Sequence, residues 1–196
     1  MKPIKTLLRL MLITGILLFQ NSCKKNEDDT TEPAPPPPAT QNDPELITRM
    51  EITFTDSAMP ANQFTCLYID PDGQSGSGAP TQVDTIRLFA SKTYLLNIKL
   101  FNDLATPVDT VSNQIHNEAN DHQFFFSFNQ INVQAGYRDL DTQTPPQPLG
   151  LQAFWRTTAP GPGGAGIVLK HQAGIKDGNI ATGIPDLQAG MPCIVQ

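Results

Sequence analysis

The densest run of potential metal ligands in this sequence is His116, Glu118, Asp121 and His122, with a third histidine, His171, remote in the chain. Imidazole and carboxylate together suit zinc or another divalent transition metal, so a divalent metal is the one cofactor these residues would take. The interval between His116 and His122 matches no standard ligand spacing. A solvated loop that runs into a strand, with His122 packed or capping, accounts for the same residues. Two aspartate pairs, Asp70 with Asp72 and Asp139 with Asp141, offer oxygen ligands of the kind calcium takes. Neither completes a calcium loop, and Asp beside Pro71 and Gly73 is also the composition of a tight turn whose carboxylate accepts backbone N–H groups.

Catalytic chemistry finds little footing. Gly161, Gly163 and Gly166 fit a bare GxGxxG, but Pro162 interrupts it and Ile167 to Lys170 reads as strand where a phosphate-binding helix would begin. The stretch from Ala159 to Gly164 reads as a glycine-rich turn. The loop from Gly73 to Gly78 lacks the GxSxG of a nucleophile elbow. Phe124, Phe125 and Phe126 must face alternate sides of a strand. If one side is open, Phe125 could join Tyr137 or Trp155 in a contact patch. Cys66 and Cys193 fall in expected strands and could be bridged, or each could be an inert buried thiol.

The elements that must carry these residues are strands. Met50, Ile52 and Phe54 alternate with Glu51, Thr53 and Thr55, the period of a half-buried strand. The same pattern predicts strands at Phe64 to Ile69, Thr85 to Ala90, Tyr94 to Phe101, His122 to Phe128, Val133 to Arg138, Leu151 to Arg156, Gly166 to His171 and Leu187 to Val195. One short helix is expected within Asp109 to Ala119, where Val111, Ile115 and Ala119 share a stripe. Eight or nine short strands with Gly- and Pro-rich turns predict an all-β, antiparallel, immunoglobulin-like β-sandwich over residues 49–196. Tyr68, Asp70 and Asp72 also echo Tyr137, Asp139 and Asp141, a faint two-fold repeat that chance would equally produce.

The amino terminus supplies an address. Lys2, Lys5 and Arg9 precede an apolar run from Leu10 to Phe19, the form of an export signal. That run is shorter than the roughly 20 residues a spanning helix needs. Ser22 before Cys23 is similar to the lipobox of bacterial lipoproteins, with Gln20 where that motif prefers Leu. Residues 1–22 are therefore expected to be a lipoprotein signal peptide and Cys23 the lipidated residue. Residues 23–48, with Glu27, Asp28 and Asp29 followed by Pro33 to Pro38, read as a disordered acidic and proline-rich tether. The acidic cluster resembles the surface-export signal of Bacteroidota lipoproteins. Asp56, Ser57 and Ala58 resemble their O-glycosylation acceptor, which would make Ser57 the modified residue.

The chain holds 13 Lys and Arg against 19 Asp and Glu. Loss of the three leader cations moves the net charge to about −9, which argues against nucleic acid and anionic membrane surfaces as partners.

Asp84 to Leu88, His122 to Phe126, and Lys170, His171 and Gln172 through Gly178 together resemble a family of small, uncharacterised Bacteroidota outer-membrane lipoproteins, some bearing a type 1 periplasmic-binding label. The resemblance spans nearly all of residues 50–196 and implies no catalytic residue. The chain lacks the alternating βα pattern of a periplasmic binding protein fold. The expectation is a non-enzymatic, lipid-anchored binding or accessory protein of the outer membrane, at the cell surface or the periplasmic face. Its partners would be the membrane itself and an outer-membrane protein, in service of an uptake system. The alternatives are a divalent-metal-handling lipoprotein and an envelope hydrolase.

Overall fold

The computed structural model describes residues 44–196. The segment expected to be a signal peptide, Cys23 and the expected tether as far as residue 43 lie outside the described residues. Ten strands and one helix follow in order: β1 (Arg49–Asp56), β2 (Gln63–Ile69), β3 (Gln82–Val83), β4 (Ile86–Leu88), β5 (Thr93–Phe101), α1 (Val111–Asn117), β6 (His122–Asn129), β7 (Val133–Tyr137), β8 (Gln152–Thr157), β9 (Gly161–His171) and β10 (Ile184–Val195). They form a six-stranded sheet, β3-β2-β1-β5-β8-β7, and a four-stranded sheet, β4-β10-β9-β6. All pairs are antiparallel except β4 with β10.

The all-β sandwich follows from the alternation. In β1 every second residue is buried, from Met50 to Asp56, and the inward side chains of both sheets share one core. Trp155 on β8 locks the layers together, edge-on to Phe54 of β1 at 5.4 Å between centroids and to Phe128 of β6 at 4.8 Å. Each large side chain buried this fully contributes roughly 1.5–3 kcal/mol through the water it sheds.

Three features depart from expectation. Ile47 and Thr48, assigned to the tether, are 1% and 2% exposed, and the Thr48 N–H donates to the Phe101 carbonyl at 2.9 Å, so the domain begins before residue 49. Residues 161–164 are strand rather than turn, because they pair with Pro192 to Val195 of β10, and Gly164 also pairs with Asn129 of β6. At Gly163 the Asn129 carbonyl occupies the place of a Cβ, so the missing side chain lets the β6–β7 turn settle onto the strand. The faint repeat is not structural: β4 lies in the four-stranded sheet, whereas β8, its sequence counterpart, lies in the six-stranded one.

Candidate metal centre

Two histidines 49 positions apart become neighbours through strand register. His122 opens β6, His171 closes β9, and the two are directly paired across the strands. Their rings stack with centroids 4.4 Å apart. Both are inward-facing, at 0% and 6% exposure.

The third member comes from a break in alternation. From Leu187 onward the alternate residues of β10 face the core, which places Asp186 on the solvent side by parity. A register shift between Pro185 and Leu187 instead turns Asp186 inward, so that two consecutive residues are buried. Bulges re-aim side chains in this way. Asp186 is 0% exposed, and its Oδ2 lies 3.4 Å from His122 Nε2.

The chemistry of His122 follows from its other nitrogen. Nδ1 lies 3.2 Å from the Glu118 carbonyl oxygen, which can only accept, so Nδ1 carries the proton. In the neutral ring, Nε2 then presents a lone pair to the Asp186 carboxylate. Two acceptors face each other at that distance only with a cation between them. A proton or a metal ion can fill that role. Burial alone would push the His122 pKa down, but the Asp186 carboxylate overrides it and holds the imidazole above its ordinary range.

Several observations fit a metal. A ring nitrogen of His171, a nitrogen of His122 and an oxygen of Asp186 all lie within 4.8 Å of one another. His122 Nε2, His171 Nδ1 and Asp186 Oδ2 are buried with no hydrogen-bond partner. With metal–ligand bonds of about 2.0–2.1 Å, tetrahedral ligand atoms stand roughly 3.3 Å apart, close to the Nε2–Oδ2 separation. The Glu118 carbonyl on Nδ1 is the outer contact that fixes tautomer and ring orientation in histidine–metal sites.

Glu45 and Glu118 extend the centre towards solvent. Each has a carboxylate oxygen in a second group with His122, again within 4.8 Å. The Glu45 N–H donates to Asp186 Oδ1 at 3.2 Å, and its side chain accepts from Gln114 Nε2 at 2.8 Å. Burial raises the Glu45 pKa, the carboxylates of Asp186, Glu118 and Asp109 add to the rise, and His122 opposes it. His171 also lines a surface hollow of about 280 Å³ with Ile175 and Gly183.

Of the residues singled out in the sequence, His122, His171 and Glu118 converge. His116 does not: it projects from the exposed side of α1. Asp121 is used by the backbone, its Oδ1 accepting the Gly174 N–H at 2.8 Å and its carbonyl the Gln172 N–H at 2.6 Å. Asp186 and Glu45 had no sequence signal, one hidden by the bulge and the other by its place in the tether.

The remaining expectations resolve elsewhere. Cys66 and Cys193 are free thiols, not a bridge; burial pushes each up to about 11. Asp72 takes the Gly78 N–H and holds a local turn, whereas Asp139 takes those of Gly150 and Gln152 and ties its strand end to the start of β8. Asp70 is buried, and burial with the neighbouring Asp72 raises its pKa. Asp141 is buried against Lys176 Nζ at 2.9 Å, and that ammonium also donates to the Ala119 carbonyl at 2.8 Å. The aromatic patch does not form, because Trp155 is 0% exposed and the Tyr137 hydroxyl is tied to the Phe124 carbonyl. Phe125 faces out from β6, half-buried, and Ser57 is exposed in the β1–β2 turn.

No protein-family model matches this chain, and no curated protein or solved structure matches it.

Proposed function

We propose that this chain is a lipid-anchored, non-enzymatic protein of the bacterial outer membrane whose β-domain binds a divalent transition metal through His122, His171 and Asp186. The observation that supports the metal is the convergence of His122, His171 and Asp186 from three adjacent strands, with one ligand atom of each within 4.8 Å of the others, while each residue carries a buried polar atom without a hydrogen-bond partner. Buried polar atoms are ordinarily hydrogen-bonded, and a shared ligand would account for the three together. Two imidazoles and a carboxylate favour zinc, copper, nickel or iron over calcium or magnesium, which take oxygen. The anchor rests on the sequence from Lys2 to Cys23 and on the acidic and proline-rich stretch after it. Among the described residues no helix is long and apolar enough to cross a membrane.

The test is titration of the full chain in detergent with zinc and copper salts, followed by calorimetry. One ion per chain is expected, with affinity reduced at least about a hundredfold in His171→Ala. No binding below about tens of micromolar would remove the reading. Mass spectrometry of the protein from its own membranes tests the anchor, which an unmodified Cys23 would overturn.

A further inference from the structure

The turn between β4 and β5 presents an exposed aromatic side chain on a backbone that is held at both of its polar groups. Phe89 is 61% exposed. Its N–H nevertheless donates to the Tyr94 hydroxyl at 2.9 Å, and its carbonyl accepts from the Thr157 hydroxyl at 2.7 Å. Tyr94 and Thr157 are themselves buried, at 3% and 1% exposure. Two residues on, Ser91 has φ 59°, a left-handed backbone that a non-glycine residue keeps only where its surroundings impose it. These bonds fix the Phe89 main chain, and with it the point from which the solvent-facing ring projects.

The ring stands at a cleft of about 430 Å³ between the β1–β2 turn and β4. That volume lies within the roughly 300–1,000 Å³ of small-molecule sites. Phe64, Tyr94 and Met59 give it an apolar lining, and Arg87 and Lys92 supply its positive charge. Lys92 Nζ is paired with Asp56 Oδ2 at 2.9 Å, and the other Asp56 oxygen accepts the Ala58 N–H at 2.9 Å, so that acid is already balanced. Arg87 is exposed and makes no ion pair among the described residues. A second hollow, about 530 Å³ beside Asp84 and Cys66, shares Arg87 and Phe64 with the first, so the groove continues past the guanidinium.

The geometry points to a binding site for a small amphipathic carboxylate, its aromatic or aliphatic body against Phe89 and Phe64 and its carboxylate on the Arg87 guanidinium. A planar fork of donors matches a carboxylate in two parallel hydrogen bonds. In the cleft beside Phe89 the one uncommitted cation among the described residues is Arg87, which favours a monocarboxylate over a phosphate, while the Asp84 carboxylate of the adjoining hollow is taken up by the Leu67 N–H at 2.8 Å and Gln82 Nε2 at 3.0 Å. The held main chain of Phe89 lowers the backbone part of the ordering cost of binding. This site is independent of the metal centre: it lies at the Asp56 end of β1, whereas Glu45 precedes the Arg49 end, about 25 Å away along an eight-residue strand.

The experiment is NMR titration of the full chain in detergent with 3-phenylpropanoate, octanoate and the neutral amide 3-phenylpropanamide. Saturable binding of at least one carboxylate is expected, with the amide about tenfold weaker than its acid. Arg87→Gln should bring the acid down to the affinity of the amide, whereas Phe89→Ala should weaken acid and amide together. Both residues are exposed, so the variants should keep the wild-type circular dichroism and thermal midpoint. Equal binding of acid and amide by the wild type, or no saturation by either carboxylate up to about 10 mM, would overturn the site.

Discussion

Asp186→Asn separates the metal reading from a simple buried ion pair. The amide has the size of the carboxylate and can still accept the Glu45 N–H, now 3.2 Å from Oδ1, so the bulge in β10 has no steric reason to change. What disappears is the charge that faces His122 Nε2 at 3.4 Å. In the metal-free protein His122 can respond by losing its proton. The loss of stability in that state is therefore limited, because His122 relieves the missing charge by deprotonating. The metal-bound state loses one of three protein ligands. For the wild type, free metal at about a hundred times Kd stabilises the fold by about 2.7 kcal/mol, which raises the midpoint of a domain this size by roughly 5–10 °C. Differential scanning calorimetry with zinc and with a chelator reads both states. The wild type should show the full rise and Asp186→Asn almost none. A variant that keeps the full rise would refute Asp186 as a ligand, and a wild type with no rise would refute the centre.

Lys176→Met should cost about 3–5 kcal/mol in urea unfolding, because it leaves Asp141, with a fully buried side chain, without its cation and frees the Ala119 carbonyl. The double variant Lys176→Met with Asp141→Leu should lose less than the sum of the two singles. Burial would raise the Asp141 pKa, but the Gln147 and Gln143 N–H groups and Lys176 together hold it below the usual carboxylate range. Its contribution should thus be complete above about pH 4 and fade as pH falls through that lower value, which acid unfolding of wild type and Asp141→Asn can compare. Cys66 and Cys193, buried and pushed up to about 11, should react with a thiol reagent only as the protein unfolds, and fast labelling of either in the native state would contradict their burial. Gly183→Ala should destabilise by about 1–3 kcal/mol and weaken metal binding, since φ is 74° there and the new Cβ would run into the His171 carbonyl; unchanged midpoint and metal affinity would argue against the coupling.

Much of this molecule is written locally. Alternation of Met50, Ile52 and Phe54 is enough to place β1 and its buried face, because a strand puts successive side chains on opposite sides wherever it sits. The Val111–Ile115 stripe likewise places α1, and Asp72 is a turn anchor because its carboxylate reaches the N–H of the nearby Gly78. The centre is legible only in part, since His122 and His171 are conspicuous as residue types but their meeting depends on the register of β6 against β9. Asp186 is the clearest tertiary decision: the sequence parity that runs back from Leu187 points it to solvent, and one irregularity in pairing with β9 reverses that. Glu45 is drawn in by the same route, its backbone held by the Asp186 carboxylate at the edge of a stretch whose composition reads as tether. Local pattern sets what each segment is, and the long-range pairing of strands sets which side chains share a point in space.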